Sequence, residues 1–265
     1  MAPLLSRLIL VAAFAACATP ASAELAPTGT LRVSFLATNP VQGRIDATTG
    51  TVSGPVADLV AELARRLKVP YRIVPVADAA ALIASVDSRA TDVGLLAIEA
   101  ARATQVDFSM PYALMGNAYL VRGDSPINQS ADVDRDGITV GAVRGQSQQV
   151  YVSEHLRRAQ VRMLPQVPPA EAIVRMLTDG EIHVFAANRQ RMEDVARTSP
   201  LVRVLADNFS VIGQAFAVVK GNAAAVADLN RFVTDAIASG LVSSSLQRAK
   251  LSGVEVAPLP ADRQP

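Results

Sequence analysis

The chain has 265 residues, half of them apolar, and 25 basic against 24 acidic side chains give a formal net charge of +1. That balance argues against nucleic acid as a partner, and beyond the N-terminal segment no stretch is long and apolar enough to span a membrane as a helix. One cysteine, Cys17, and two histidines, His155 and His183, leave no ligand set for zinc or an iron–sulfur cluster, so no cofactor and no metal are expected.

The N-terminus reads as an export signal. Arg7 supplies a positive start, Leu8 to Ala18 form a short apolar stretch, and Ala21-Ser22-Ala23 is a small-x-small cleavage site. Residues 1–23 are therefore expected to be a signal peptide, with a mature chain that begins at Glu24 and works in the periplasm. Cleavage there leaves the mature chain without a thiol. A rival reading takes Phe14-Ala15-Ala16-Cys17 as a lipoprotein box, with Cys17 lipidated and the protein tethered.

From Glu24 onward, short apolar strands alternate with amphipathic helices, the pattern of an α/β fold. Leu31 to Leu36 reads as a strand. Pro55 opens a helix, where its missing N–H costs nothing, and Val56, Leu59, Val60, Leu63 and Leu67 form its buried stripe. Tyr71 to Val76 is a strand, Ala79 to Val86 a short helix, Val93 to Leu96 a strand. A second series follows. Strands are expected over Ala118 to Arg122, Thr139 to Val143, Val184 to Ala187 and Gln214 to Val219. Helices are expected over Gln148 to His155, Pro169 to Asp179 and Asn188 to Thr198, with a long helix after an Asn222 cap. The Pro-rich tail after Ser252 is expected to fray.

Polar residues sit where these strands end. Asn39 follows the first strand, Glu99 and Arg102 the third, Gln146 and Ser147 the strand that ends at Val143, and Asn188 the strand that ends at Ala187. Ligands of open α/β sheets bind beyond the carboxyl ends of strands, so these four loops are candidates for one shared cleft.

The run Arg102 to Pro111, RATQVDFSMP, ending in Tyr112, resembles the signature of the family 3 bacterial extracellular solute-binding proteins, which include the polar amino-acid binders of ABC importers. The likeness continues through Gly29-Thr30-Leu31-Arg32-Val33, Gly54 with Asp58-Leu59, Val140-Gly141-Ala142-Val143 with Gly145 and Ser147, Asp179-Gly180-Glu181-Ile182, and Ala217 to Asn222. It covers nearly the whole mature chain. The resemblance implies a two-lobed periplasmic-binding-protein fold of type II, with the lobes joined by two crossing strands. Lobe one would comprise residues 24–112 and 214–265, and lobe two residues 113–213. Such proteins close on ligand by hinge motion.

The resemblance also implies roles. Arg102 matches the carboxylate-binding arginine, whose guanidinium fork fits two oxygens as a lysine does not. Ser147 matches the second-lobe hydroxyl that helps hold the same carboxylate, and it stands where a helix begins, so free backbone N–H groups face an anion there. Gln146 faces either the cleft or solvent. Two departures stand out. Asn188 occupies the place of the acidic residue that pairs with a ligand α-ammonium. Ala97 replaces a hydroxyl residue, and Glu99 brings a negative charge that either neutralises Arg102 or meets an ammonium. Phe35 reads as core, Asp92 as a loop brace, His183 as a residue packed on the sheet, and Arg144 and Arg191 as surface arginines.

The expected function is capture of a small carboxylate, an amino acid or amino-acid-like compound, by a monomer that serves the membrane subunits of an ABC importer. The alternatives are a cyclohexadienyl-dehydratase-like enzyme with Glu99 as its acid, and a sensor-type relative that has lost tight binding. Processing gives the first test: intact-mass analysis of exported protein should return a chain that starts at Glu24. A lipidated chain that starts at Cys17 would reject that expectation.

Overall fold

The computed structural model describes residues 24–259, so the signal segment, its cleavage point and the Cys17 alternative lie outside the described residues. One mixed sheet runs β4 (Tyr71–Val76), β1 (Leu31–Leu36), β5 (Val93–Ala97), β12 (Ser210–Val219), β7 (Ala113–Arg122), β10 (Val184–Asn188), β8 (Thr139–Val143) and β9 (Gln160–Leu164), with β6 (Val106–Phe108) and β11 (Val202–Val204) off this path and β2 (Arg44–Ile45) and β3 (Val52–Ser53) in a separate pair. Each flank is parallel, β4-β1-β5 on one side and β10-β8-β9 on the other. The ten-residue strands β7 and β12 join them antiparallel.

Those two strands pair with each other only over Ala113 to Asn117 and Ser210 to Gln214. Beyond that overlap they part. The remainder of β7 pairs with β10, and the remainder of β12 pairs with β5. The sequence pattern had placed only the outer parts of both strands. The inner parts carry Gly116, Asn117 and Gly213, which do not read as strand.

Helices pack on both flanks. On the first, α1 (Pro55–Leu67) begins at Pro55 after Gly54, carries Asp58 in its first turn and Arg65 and Arg66 in its last, and buries Val56, Leu59, Val60 and Leu63. The helices α2 (Ala79–Asp87), α3 (Ala100–Ala103), α7 (Ala223–Ala238) and α8 (Leu241–Arg248) belong to the same flank. Asn222 caps α7 by accepting the Ala225 N–H. On the second flank lie α4 (Ser147–His155), α5 (Ala170–Thr178) and α6 (Arg189–Thr198). The apolar cores follow this division. Phe35, Leu59, Val93, Phe216 and Leu229 share one cluster, which places Phe35 in the core, while Phe185, Ile173 and Met192 share another.

The two flanks start their inner strands in the same way. Asp92 donates its N–H to the Arg32 carbonyl and accepts the Arg32 N–H on Oδ2 at 2.9 Å, while Arg32 Nη2 lies 2.6 Å from Oδ1. Asp92 is thus the brace expected of it. His183 repeats the reciprocal pair with Thr139: its N–H meets the Thr139 carbonyl, and its Nδ1 accepts the Thr139 N–H at 3.0 Å. The His183 ring is exposed rather than packed on the sheet, so that expectation is corrected. Its role is a hydrogen bond at the strand start.

The tail also departs from expectation. Val254–Val256 form β13, which pairs antiparallel with Ala113 to Met115, and the Ala257 N–H reaches the Tyr112 carbonyl. Val254 and Val256 pack on the first core, and that packing overrides the turn-rich composition. Residues 260–265 lie outside the described residues.

One buried amide holds the first flank together under the crossover. Gln42 accepts the Leu36 N–H at 2.9 Å, donates to the Leu95 carbonyl at 2.9 Å, and has no exposed surface. Gln42→Leu keeps the shape and strands both backbone groups. We expect a loss of about 2–4 kcal/mol from two buried unsatisfied groups, read as a lower urea midpoint. An unchanged midpoint would show that the amide is not holding these strands.

Candidate functional site

The carboxyl ends of β1, β5, β8 and β10 converge above the strand overlap, where they line a small cavity of about 30 Å³. Thr38 and Asn39 enter from the loop after β1, and Ala97 and Arg102 from the end of β5 and α3. Gln146, Ser147 and Gln148 come from the start of α4, Asn188 from the end of β10, and Met115 from β7. Five of the six sequence candidates therefore share one wall: Asn39, Arg102, Gln146, Ser147 and Asn188. Glu99 is not part of that wall, but its Oε2 lies 3.1 Å from Arg102 Nε. Of the two roles open to Glu99, the structure shows the partner of Arg102.

Arg102 is the centre of this arrangement and is only 6% exposed. Its Nη1 donates to the Ala97 carbonyl at 3.1 Å within its own flank. Its Nη2 donates to the Gly145 carbonyl of the other flank at 2.9 Å. Burial pulls its pKa down and the Glu99 charge pushes back up, yet a guanidinium stays protonated throughout the physiological range. The result is a buried cation whose strongest donors are met by two neutral carbonyls and one carboxylate.

Opposite Arg102, α4 opens without a side-chain cap, because Gln146 precedes it with no such bond. The first N–H groups of a helix have no intrahelical partner, so this end presents donors and partial positive charge to the cavity. Ser147 is buried, and its hydroxyl makes no hydrogen bond among the described residues. Asn188 caps α6: its Oδ1 accepts the Arg191 N–H at 2.9 Å. Asn39 Oδ1 likewise accepts the Val41 N–H at 3.1 Å and shapes its own loop.

Gln148 is the residue that the sequence reading missed. It is buried beside Ser147, and its Nε2 lies 2.5 Å from Asn117 Oδ1, while Asn117 Nδ2 lies 2.9 Å from Ser210 Oγ. The cavity wall is thus hydrogen-bonded to both crossing strands. The only available signal was position, since Gln148 shares the first helical turn with Ser147. Met115 was missed because its strand was not read.

Arg144 is exposed, as expected, whereas Arg191 is half-buried rather than fully on the surface. Its Nη2 donates to the Thr38 carbonyl of the other flank. Its Nε is buried without a partner. Burial lowers its pKa, and the nearby Asp194 opposes that shift. An exposed pair, Arg44 Nη2 to Asp194 Oδ2 at 3.0 Å, also crosses between the flanks.

The small cavity has room for about one or two waters. A larger space of about 610 Å³ adjoins it and shares Leu36, Thr38, Arg102 and Gln146 with it. A solute larger than water must therefore part the flanks or occupy that outer space.

The family 3 bacterial extracellular solute-binding proteins match residues 31–248. This chain belongs to that family. No curated protein matches it in sequence. Among solved structures it is similar to an ancestral amino acid-binding protein, a precursor of cyclohexadienyl dehydratase, at 23% identity and TM-score 0.72. That match covers 87% of this chain and 99% of the other. It is also similar to a solute receptor for L-cysteine from Neisseria gonorrhoeae, at 21% identity and TM-score 0.72, over 87% and 93% of the two chains. A third likeness is to a binding component of an ABC transporter from Wolinella succinogenes complexed with lysine, at 20% identity and TM-score 0.71, over 83% and 95%. These likenesses establish the type II periplasmic-binding-protein fold of this solute-binding protein.

The contacts between flanks give a test. Asp194→Ala removes the partner of Arg44, an exposed pair worth about 0.5–1 kcal/mol. We expect a roughly two- to five-fold shift toward parted flanks, seen as a larger radius of gyration by small-angle scattering. An unchanged radius would mean that the pair does not hold the flanks together.

Proposed function

We propose that this solute-binding protein is the exported receptor of an ABC importer and captures a small carboxylate, an amino acid or amino-acid-like compound, between two lobes. The lobes are residues 24–112 with 214–265, and residues 113–213, moving about the β7–β12 overlap. The observation that carries the reading is Arg102, a buried guanidinium of one lobe that donates to the Gly145 carbonyl of the other. A ligand carboxylate displaces that neutral carbonyl and brings a charge, so it satisfies the cation better than the empty protein does. Ser147 and the first N–H groups of α4 then hold the same anion from the opposite side. Glu99 stays on Nε and leaves the two Nη groups for the ligand.

The receptor for L-cysteine and the lysine complex are consistent with a ligand of this size. The dehydratase reading needs an acid that holds a proton in the cleft. Glu99 faces the Arg102 guanidinium at 3.1 Å, an arrangement suited to a carboxylate partner, so binding is favoured over turnover. Release of phenylpyruvate from prephenate would select the enzyme instead.

The test is calorimetry against common L-amino acids and small organic acids. At least one is expected to bind, and Arg102→Ala should cost about 2–5 kcal/mol of that binding, as for one partner cut from a buried charge pair. Affinity that survives Arg102→Ala would overturn the carboxylate model, and a flat screen would favour the sensor-type relative.

A further inference from the structure

Resting on the reading of this site as a carboxylate receptor, and narrowing its ligand to the amino-acid-like compounds, we propose that it selects against a free α-ammonium and takes a 2-oxo or 2-hydroxy acid. The inference starts from the charges. Among the described residues, Arg102 is the only charged side chain on the wall of the small cavity, and no carboxylate lines it. Glu99 is engaged with Arg102 outside that wall. Of the acids in the adjoining spaces, Asp78 is exposed to water and spends Oδ1 on the Ala81 N–H, and Asp194 is engaged with Arg44.

The orientation of Asn188 decides the matter. Its oxygen must face the Arg191 N–H, because the reversed amide would set two donors against each other. What remains is Nδ2, a donor with no partner among the described residues, on a residue 5% exposed that lines the cavity. An ammonium carries three donors and a positive charge, so it finds a donor where it needs an acceptor. A keto or hydroxyl oxygen accepts from Nδ2 directly.

Helix ends reinforce this preference. Asn188 caps the start of α6 and Ser147 begins α4, so two positive helix termini meet at the cavity beside Arg102. Ser147, a residue 7% exposed whose Oγ is unpartnered among the described residues, adds another donor. The side-chain acceptors on that wall, such as the Gln148 amide oxygen, are neutral and bring no negative charge to a desolvated ammonium. A site built from donors accepts an anion with a second acceptor oxygen and discriminates by leaving a cation unpaired.

Matched sets of ligands test this by calorimetry: L-alanine, L-lactate and pyruvate; L-leucine, 2-hydroxy-4-methylpentanoate and 4-methyl-2-oxopentanoate; L-glutamate, 2-hydroxyglutarate and 2-oxoglutarate; L-phenylalanine, phenyllactate and phenylpyruvate. In the best-binding set, the oxo or hydroxy acid should bind at least about tenfold tighter than its amino acid. Asn188→Asp keeps a competent helix cap and should narrow or reverse that order, with an unchanged melting temperature as the folding control. An amino acid that binds tighter than its oxygen analogues, in an Arg102-dependent way, would overturn this inference and leave the carboxylate receptor standing. An order unmoved by Asn188→Asp would remove Asn188 as the discriminating residue and overturn it too. No binding by any member would overturn both.

Discussion

A guanidinium taken out of water has to have its donors met, and at Arg102 that requirement ties the two flanks of the protein together. Ala97 and Glu99 meet it from the same flank, and Gly145 from the other. The partners are unequal. Two are neutral carbonyls, and the one carboxylate approaches Nε alone. Such a cation is stable enough to fold around and still under-served, because an anion at the Nη groups would improve on a carbonyl. Under the proposed reading, the Gly145 contact across the flanks is the one a ligand carboxylate would replace.

The sheet makes this economical in structure. Asn117 stands in register with Ser210 on one side and Asn188 on the other. Gln148 reaches Asn117 from the helix that begins at Ser147. The crossing strands thus touch the cavity wall through hydrogen bonds no longer than 2.9 Å. Any change in how Ser147 and Gln148 sit is felt at the strand overlap, without an intervening loop.

Much of this was legible in the sequence, because the carboxyl ends of parallel strands announce themselves by apolar runs that stop at polar residues. Arg102, Ser147, Gln146, Asn188 and Asn39 were all found that way, or through the family resemblance that the same loops carry. The crossover was not legible. A Cβ on Gly116 would lie 2.5 Å from the Asn208 side chain, and one on Gly213 would lie 3.0 Å from Pro111. Both glycines sit against close neighbours, yet in the sequence they read as strand breakers. Arg191 was missed for a different reason. Its target is the backbone carbonyl of Thr38, and a carbonyl leaves no mark in a sequence. Glu99 was found but its place was not, since its spacing to Arg102 fits a partner as well as a cavity-facing acid.

Asn188 carries two duties, and only one of them explains why it is an amide. As a cap for α6, aspartate would serve equally well and would also complement the helix dipole. Capping alone therefore favours the acid over the amide. The amide is explained from the cavity side. A carboxylate at Asn188 would bring a negative charge and only acceptors to the wall it shares with Ser147 and Arg102, which suits a ligand ammonium and repels a keto or hydroxyl oxygen. Asparagine keeps the cap and, under the proposed reading, offers Nδ2 as a donor instead. The positive character of the site is thus set as much by the charge withheld at Asn188 as by the charge supplied at Arg102.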